Sequence, residues 1–324
     1  MQSRFAAACV LLAMLLPAGA WAAPCSLDLA PGMHRIEVAS GGQTRTVPLF
    51  VPAAARRGGP LPLVFDLHGS AGNGEIQAAG TGLRSLGELR GFMVANPDGA
   101  VTLPAAPDLH YWNIPGAPLI NGAAVPEGTA DDVQFISDTI DAIARQTCVD
   151  LRRIYVTGMS GGARMTSLLA CRLSLRIAAV APVAGLRAGL PGPGPDHGPL
   201  PGSCQPQRGV PIVTFHGMDD SVNPFEGAGG AYWGYGVPVA LQAWSAFNHC
   251  SGTTQRRSIT PHVVELRYTG CRHHADIVLY RIEASAAEGG GHVWPGGPWS
   301  MAATERPEIS ASERIWEFFR RHPM

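Results

Sequence analysis

Charge is scarce in this chain. Only 15% of its 324 residues are charged, and the formal net charge is −1. A surface that neutralises phosphates needs clustered cations, so this balance argues against nucleic acid or an anionic membrane surface as the main partner. Long apolar runs are scarce as well: beyond the first 22 residues no segment is apolar for long enough to span a bilayer. There is no CxxC pair and no Cys/His spacing of the kind that holds zinc. No Gly-Lys-Ser/Thr follows the glycine-rich stretches, and no G-x-G-x-x-G fits them, which argues against a phosphate-binding loop. The expectation is a protein that needs neither metal nor cofactor.

The first 22 residues do have a recognisable character. A basic start at Arg4, an apolar run from Phe5 to Leu16 and the ending Ala20-Trp21-Ala22 read as an export signal, too short for a convincing membrane anchor. Residues 23–324 are then expected to be a secreted protein, with room for one large α/β domain. Seven cysteines are present, and Cys9 falls inside the signal. The other six, Cys25, Cys148, Cys171, Cys204, Cys250 and Cys271, are an even set in an exported protein and suggest three disulfides of open connectivity. The 40 glycines and 28 prolines are spread among strong apolar runs and read as loop punctuation.

Strand-like and helix-like segments alternate. "HRIEVAS" and "TRTVPLFVP" suggest an early antiparallel pair. "LPLVFDLHG", "GFMVANPDG", "RRIYVTGMS", "IAAVAPVAG", "VPIVTFHG", "HVVELRY" and "IVLYRIE" supply further strands. Residues 130–148 place Val133, Ile136, Ile140, Ile143 and Ala144 at helical spacing. Further helices are expected after "RRIYVTGMS", over "VPVALQAWSAFNHC" and over the terminal "SASERIWEFFRRH". In the last, Ser310 or Ser312 would cap, and Ile315, Phe318 and Phe319 would face inward. Such alternation predicts a mainly parallel sheet with helices on both faces. The proline-rich stretch 187–204 reads as a long loop beside the cleft.

Within "VTGMSGG", Gly158-x-Ser160-x-Gly162 lies between a strand and a helix. That context turns a short, unspecific pattern into a candidate nucleophile elbow, although an ordinary tight turn has the same residues. A serine needs a base, and the base needs an acid. Asp219 and Asp220 follow the strand "VPIVTFHG", so one of them lies on the same edge of the sheet as the elbow. His292, in "EGGGHVWPGG", comes after the acid on a glycine-rich loop long enough to return to Ser160. His273 and His274 look like a surface pair and His322 lies in the tail, while His68 and His216 sit at strand ends and suit bracing. The backbone N–H groups of Gly161 and of Ser70, in "LHGSAGNG", are the candidate oxyanion donors. Tyr232 and Trp233 in "AYWGYG", together with Trp112 and Trp294, are candidate substrate-contacting aromatics; packing of a local lid is the competing reading.

Together, "LHGSAGNG", "RRIYVTGMSGGARMTSLLAC", "VPIVTFHGMDDSVNPF" and "GGGHVWPGG" resemble the secreted polyhydroxybutyrate depolymerases and the related feruloyl and acetylxylan esterases of carbohydrate esterase family one. "GTADDVQFI" and "VALQAWSAFNHC…GC" fit the same pattern. The resemblance implies an α/β-hydrolase fold and a Ser160, Asp220, His292 triad, with Asp220 selected over Asp219. It also implies pairing of Cys250 with Cys271, of Cys171 with Cys204, and so of Cys25 with Cys148. The substrate it implies is an ester, either a polyester oligomer or a plant-wall ester, with no obligate protein partner. Depolymerases of crystalline polyester carry an added binding domain and linker, and none follows the last helix here, which favours soluble or amorphous substrates. Two departures stand out: the inserted "ASAAE" (284–288) before the histidine loop, and Gly161 where relatives often carry Asn or Ala. An amidase, an acyltransferase and a non-catalytic carbohydrate-binding protein are the rival readings.

Overall fold

The structure is a computed structural model that describes residues 29–193, 198–228, 231–298 and 307–324. The expected export signal and Cys25 lie outside the described residues. The first strands, β1 (Gly32–Ser40) and β2 (Gln43–Val51), form an antiparallel hairpin across the turn at Gly41-Gly42. Then come β3 (Leu61–Leu67), helices α1 (Gly74–Thr81) and α2 (Leu83–Arg90), and β4 (Met93–Ala95). A small separate hairpin, β5 (Val101–Leu103) and β6 (Ala106–Tyr111), precedes α3 (Asp132–Gln146).

The second half continues with β7 (Val149–Met159), α4 (Gly161–Arg172), β8 (Ala179–Val183), β9 (Ile212–Gly217) and α5 (Val237–Phe247). It closes with β10 (Gln255–Thr260), β11 (Val263–Tyr268), β12 (Ile277–Ile282) and α6 (Ala311–Phe319). Among the described residues one ten-stranded sheet runs in the order β1-β2-β4-β3-β7-β8-β9-β12-β11-β10. From β4 to β12 every neighbouring pair is parallel, and antiparallel strands close both edges.

Parallel strands at the centre of a sheet must bury both faces, and the sequence accommodates this with runs that are largely apolar on both faces. In β7, Ile154 and Val156 join the core that includes Phe135, Met165, Leu169 and Trp244, whereas Tyr155 points to the opposite core of Phe92, Ile315 and Phe319. Helices α3, α4 and α5 thus cover one face and α2 and α6 the other. In α3 the buried set is Asp132, Phe135, Ile136, Thr139, Ile140, Ala142 and Ile143, with Asp131 capping through bonds to the N–H groups of Val133 and Gln134. Ser310 caps α6 through the Glu313 N–H.

Disulfides join Cys171 at the end of α4 to Cys204, and Cys250 to Cys271. Cys148 is also disulfide-bonded. Among the described residues no helix is long and apolar enough to cross a membrane.

Candidate active site

The C-terminal ends of four parallel strands bring the chemistry together: Ser70 follows β3, Ser160 follows β7, Asp220 follows β9 and His292 follows β12. Open parallel sheets collect their sites along this edge because each strand ends there in a loop.

Ser160 occupies a turn that few residues tolerate, with φ 78° and ψ −102°. That strain holds its side chain clear of both the strand and the helix. Close packing around the turn requires hydrogen instead of a side chain. A Cβ on Gly162 would lie 2.2 Å from the Leu67 carbonyl oxygen, and one on Gly158 would lie 2.7 Å from the same atom. A Cβ on Gly185, from the loop after β8, would lie 2.7 Å from the Ser160 carbonyl oxygen. The Ser160 N–H itself donates to Val183 O at 3.0 Å.

His292 Nε2 lies 2.9 Å from Ser160 Oγ, and His292 Nδ1 lies 2.8 Å from Asp220 Oδ2. The other oxygen of Asp220 accepts the backbone N–H groups of Val222 at 2.9 Å and Asn223 at 2.8 Å. Burial opposes ionisation of Asp220, but the bond from His292 and the backbone donors outweigh it and hold the carboxyl below its usual range. A carboxylate facing Nδ1 favours the tautomer that leaves Nε2 free to take a proton from the serine.

His216 lies beneath the acid. Its Nε2–H donates to Asn223 O at 2.8 Å, and burial lowers its proton affinity. Asn223 Nδ2 in turn donates to Ala184 O at 2.7 Å, tying the acid loop to the end of β8.

The neighbouring side of Ser160 carries the candidate oxyanion donors. Gly161 is the first residue of α4, so its N–H has no acceptor within the helix. A Cβ built on Gly161 would lie 2.7 Å from Ser70 N and 2.5 Å from Ser70 Oγ, which shows how closely the two backbones approach. His68 braces the Ser70 loop. Its Nε2 accepts the Gly99 N–H at 2.9 Å, so Nδ1 carries the proton and donates to Gly69 O at 2.7 Å. Burial lowers the His68 pKa to about 4, so the ring is neutral at ordinary pH.

Three of the expected substrate-contacting aromatics have other duties. Trp233 is fully buried and donates its indole N–H to Pro224 O at 2.9 Å, so no substrate ring reaches it. Trp112 stacks on His68 with centroids 4.8 Å apart and donates to His68 O at 2.8 Å, which makes it a second brace of the oxyanion loop. The indole N–H of Trp294 meets Ser312 Oγ on α6 at 3.0 Å, deep in the core beneath that helix. Trp112 also borders a small cavity beside Ser70 and Gly161, and Tyr232 borders a neighbouring one, with its hydroxyl donating to Val222 O at 2.8 Å. Sequence reasoning passed over Arg164 and Arg187, both buried at the edge of the same cavity.

A strained serine between strand and helix, with mainly parallel strands and helices on both faces, defines an α/β-hydrolase. Residues 46–191 match the family model described as Esterase PHB depolymerase. Feruloyl esterase B of Piromyces equi is 30% identical over 238 residues, which is 71% of this chain and 39% of that protein. The bifunctional acetylxylan esterase/xylanase XynS20E of Neocallimastix patriciarum is 26% identical over 181 residues, or 56% of this chain and 22% of its own length. The chain therefore spans well under half the length of these two relatives. Among solved structures, an acetyl xylan esterase from Aspergillus awamori superposes with a TM-score of 0.57 at 14% identity, covering 89% of this chain and 99% of that one. At that identity the likeness concerns the fold alone.

Proposed function

We propose that the protein is an exported serine carboxylester hydrolase of one catalytic domain, acting through Ser160, His292 and Asp220 on polyhydroxybutyrate-type polyester or its oligomers. The observation that carries this reading is the unbroken hydrogen-bonded line from Asp220 through His292 to Ser160 at the elbow. Ser160 Oγ attacks the ester carbonyl as His292 Nε2 takes its proton, and Asp220 stabilises the imidazolium. The N–H groups of Gly161 and Ser70 receive the oxyanion. His292 then protonates the leaving alcohol, and a water repeats the sequence to release the acid. Each of these groups belongs to the protein, so the reaction as written calls for no metal or cofactor.

The family description of residues 46–191 supports the polyester substrate. A second reading, a feruloyl or acetylxylan esterase acting on plant-wall esters, draws on the relatives from Piromyces equi and Neocallimastix patriciarum. Hydrolysis of a soluble 3-hydroxybutyrate oligomer and of methyl ferulate, run side by side with Ser160→Ala as control, separates the two. Preference for the oligomer supports the polyester reading, and preference for ferulate supports the plant-wall reading. Cleavage of neither above the control overturns the ester-hydrolase assignment.

A further inference from the structure

Arg164, beside the candidate oxyanion donor Ser70, and the neighbouring Arg187 are both buried, without a counter-charge among the described residues. Arg164, in the first turn of α4, is 7% exposed, and Arg187, in the loop after β8, is 5% exposed. Neither is among the ion pairs of the described residues. Arg164 Nη2 reaches Ser70 Oγ at 3.2 Å, and Arg187 Nη2 donates to Tyr232 O at 2.6 Å. The Nη1 group of each is buried and has no hydrogen-bond partner among the described residues.

Such an arrangement is costly. A buried cation is ordinarily paired, because losing water without gaining an anion destabilises the charged form. Burial and the charge of Arg187 lower the Arg164 pKa to about 9, and burial lowers that of Arg187 to about 10. The first turn of a helix also favours anions over cations, so Arg164 sits against the helix dipole as well. Partial compensation comes from aromatic faces: Tyr232 for Arg164, and Trp233 and Tyr235 for Arg187. Ring quadrupoles attract a guanidinium but leave its edge donors unsatisfied.

Space exists for the missing partner. Both guanidinium groups border one cavity of about 30 Å³, which is otherwise walled mainly by apolar groups such as Ile114, Leu168 and Leu190. A water needs roughly 10–15 Å³ of such volume, so the cavity holds a group of a few heavy atoms. It shares Ile114, Ala117 and Arg164 with a second cavity of about 20 Å³ that borders Ser70 and Gly161. A ligand entering at the oxyanion donors therefore meets Arg164 first and Arg187 next.

We propose that Arg164 and Arg187 form a subsite for a free carboxylate carried by the ester substrate. A carboxylate has two oxygens that each accept more than one N–H, which suits two guanidinium groups with an open donor apiece. The inference rests on the ester-hydrolase reading and narrows its substrate to short anionic esters, such as oligomers of a hydroxy acid with a free acid end. Two sources of the same group fit the cavity: a carboxylate on the leaving alcohol, or one at the far end of the acyl chain.

The test compares charged and neutral ester pairs on the full-length mature protein. For the alcohol side the pair is 3-butyryloxybutyrate and its primary amide; for the acyl side it is 4-nitrophenyl hydrogen glutarate and 4-nitrophenyl pentanoate. The expected result is a kcat/KM at least about tenfold higher for the anion in one pair, the size of a charge-assisted contact. Arg187→Met removes that preference, lowering kcat/KM for the anionic ester about tenfold more than for its neutral partner. The pair that responds identifies the source of the carboxylate. No preference for the anion in either pair, or one that Arg187→Met leaves intact, overturns the subsite. If Arg187→Met does not fold, Arg187→Lys, which keeps charge but loses the fork, is measured in its place. Calorimetric binding of glutarate to Ser160→Ala reads the site without turnover. Glutarate binding in a protein that cleaves no ester keeps the subsite and rejects the hydrolase; ester cleavage without anion preference does the reverse.

Discussion

Asp219 Oδ2 accepts the backbone N–H of Ala286 at 2.7 Å, tying the acid loop to the 284–288 segment that leads into the histidine loop. A second strut runs from the Asp219 N–H to Gly290 O at 3.0 Å. That segment is itself closed by a capping box between Ser285 and Glu288. Adjacent aspartates thus divide the work: Asp220 faces His292, and Asp219 holds the loop that carries it.

That division gives a graded prediction. Asp220→Asn is expected to lower kcat for 4-nitrophenyl butyrate on the order of 10⁴-fold, as loss of the orienting acid does in other triads. Asp219→Ala is expected to cost on the order of tenfold, because it loosens the position of His292 without removing a reacting group. Steady-state kinetics of the two variants decide the matter. Equal losses in both would mean that the assignment of Asp220 alone to the imidazole is wrong.

Gly161 and Gly162 are neighbours that are expected to fail differently when replaced by alanine. A Cβ on Gly161 presses on Ser70, at 2.5 Å from its Oγ and 2.7 Å from its N, whereas one on Gly162 lies closer still to backbone, meeting the carbonyl oxygens of Leu67 and His68 at 2.2 and 2.6 Å. Gly161→Ala is expected to fold with a near-native Tm and to lose kcat by roughly 10²-fold, the cost of displacing one oxyanion donor. Gly162→Ala is expected to lose stability first, seen as a depressed Tm or insoluble protein. A fully active Gly161→Ala would exclude Ser70 as a donor.

Much of this arrangement was legible in the sequence because local chemistry and global topology agree there. The central strands β3, β7, β8, β9 and β12 are apolar runs that end in glycine or polar turns, and the elbow interrupts strand and helix in a way that few other structures require. Ser160, the Asp219-Asp220 pair and His292 could be ordered along the chain for the same reason, whereas the choice of Asp220 over Asp219 came from the family resemblance. Helices α1 and α2 were not legible: each is eight residues long, and Gly80, Gly82 and Gly87 interrupt any apolar period. Strand β10 reads QRRSIT and is mostly exposed, an edge strand whose polarity conceals it. The aromatics misled for a physical reason. Tryptophan supplies area to any core, and Trp233 and Trp294 have their N–H partners inside the fold, where sequence spacing gives no hint of them. Arg164 and Arg187 were passed over because a cation in a helix or loop reads as solvated until its burial is seen.

The disulfide between Cys171 and Cys204 anchors the far end of the proline-rich loop to α4, beside the cavity bordered by Leu190 and Ser203. Closing a loop of this size stabilises a fold by about 2–4 kcal/mol in typical cases. Cys204→Ser combined with Cys171→Ser is expected to lower Tm by several degrees and to change the ratio of kcat/KM between long and short acyl esters. Turnover of the smallest acetate ester is expected to remain within about threefold, since Ser160 is held by its own turn. An unchanged chain-length profile would remove the loop from the cleft.

Asp66 predicts how stability responds to pH. It lies at the end of β3, fully buried, accepting Gln77 Nε2 at 2.9 Å and Thr81 Oγ1 at 2.7 Å. Burial pushes its pKa up from 3.8 to about 6, and these donors only partly offset the effect. Below pH 4 the carboxyl is protonated in folded and unfolded chains alike, and it costs nothing. Between pH 4 and 6 the unfolded chain ionises while the folded one keeps its proton, so unfolding gains ground as pH rises. Above pH 6 the loss is complete, about 3 kcal/mol for a shift of this size. Replacing Asp66 by Asn removes the titration, so the difference in unfolding free energy between variant and wild type is expected to move in the variant's favour by that amount from pH 4 to pH 7. Urea titrations at both pH values measure it, and parallel shifts of the two proteins would show that Asp66 does not titrate with folding.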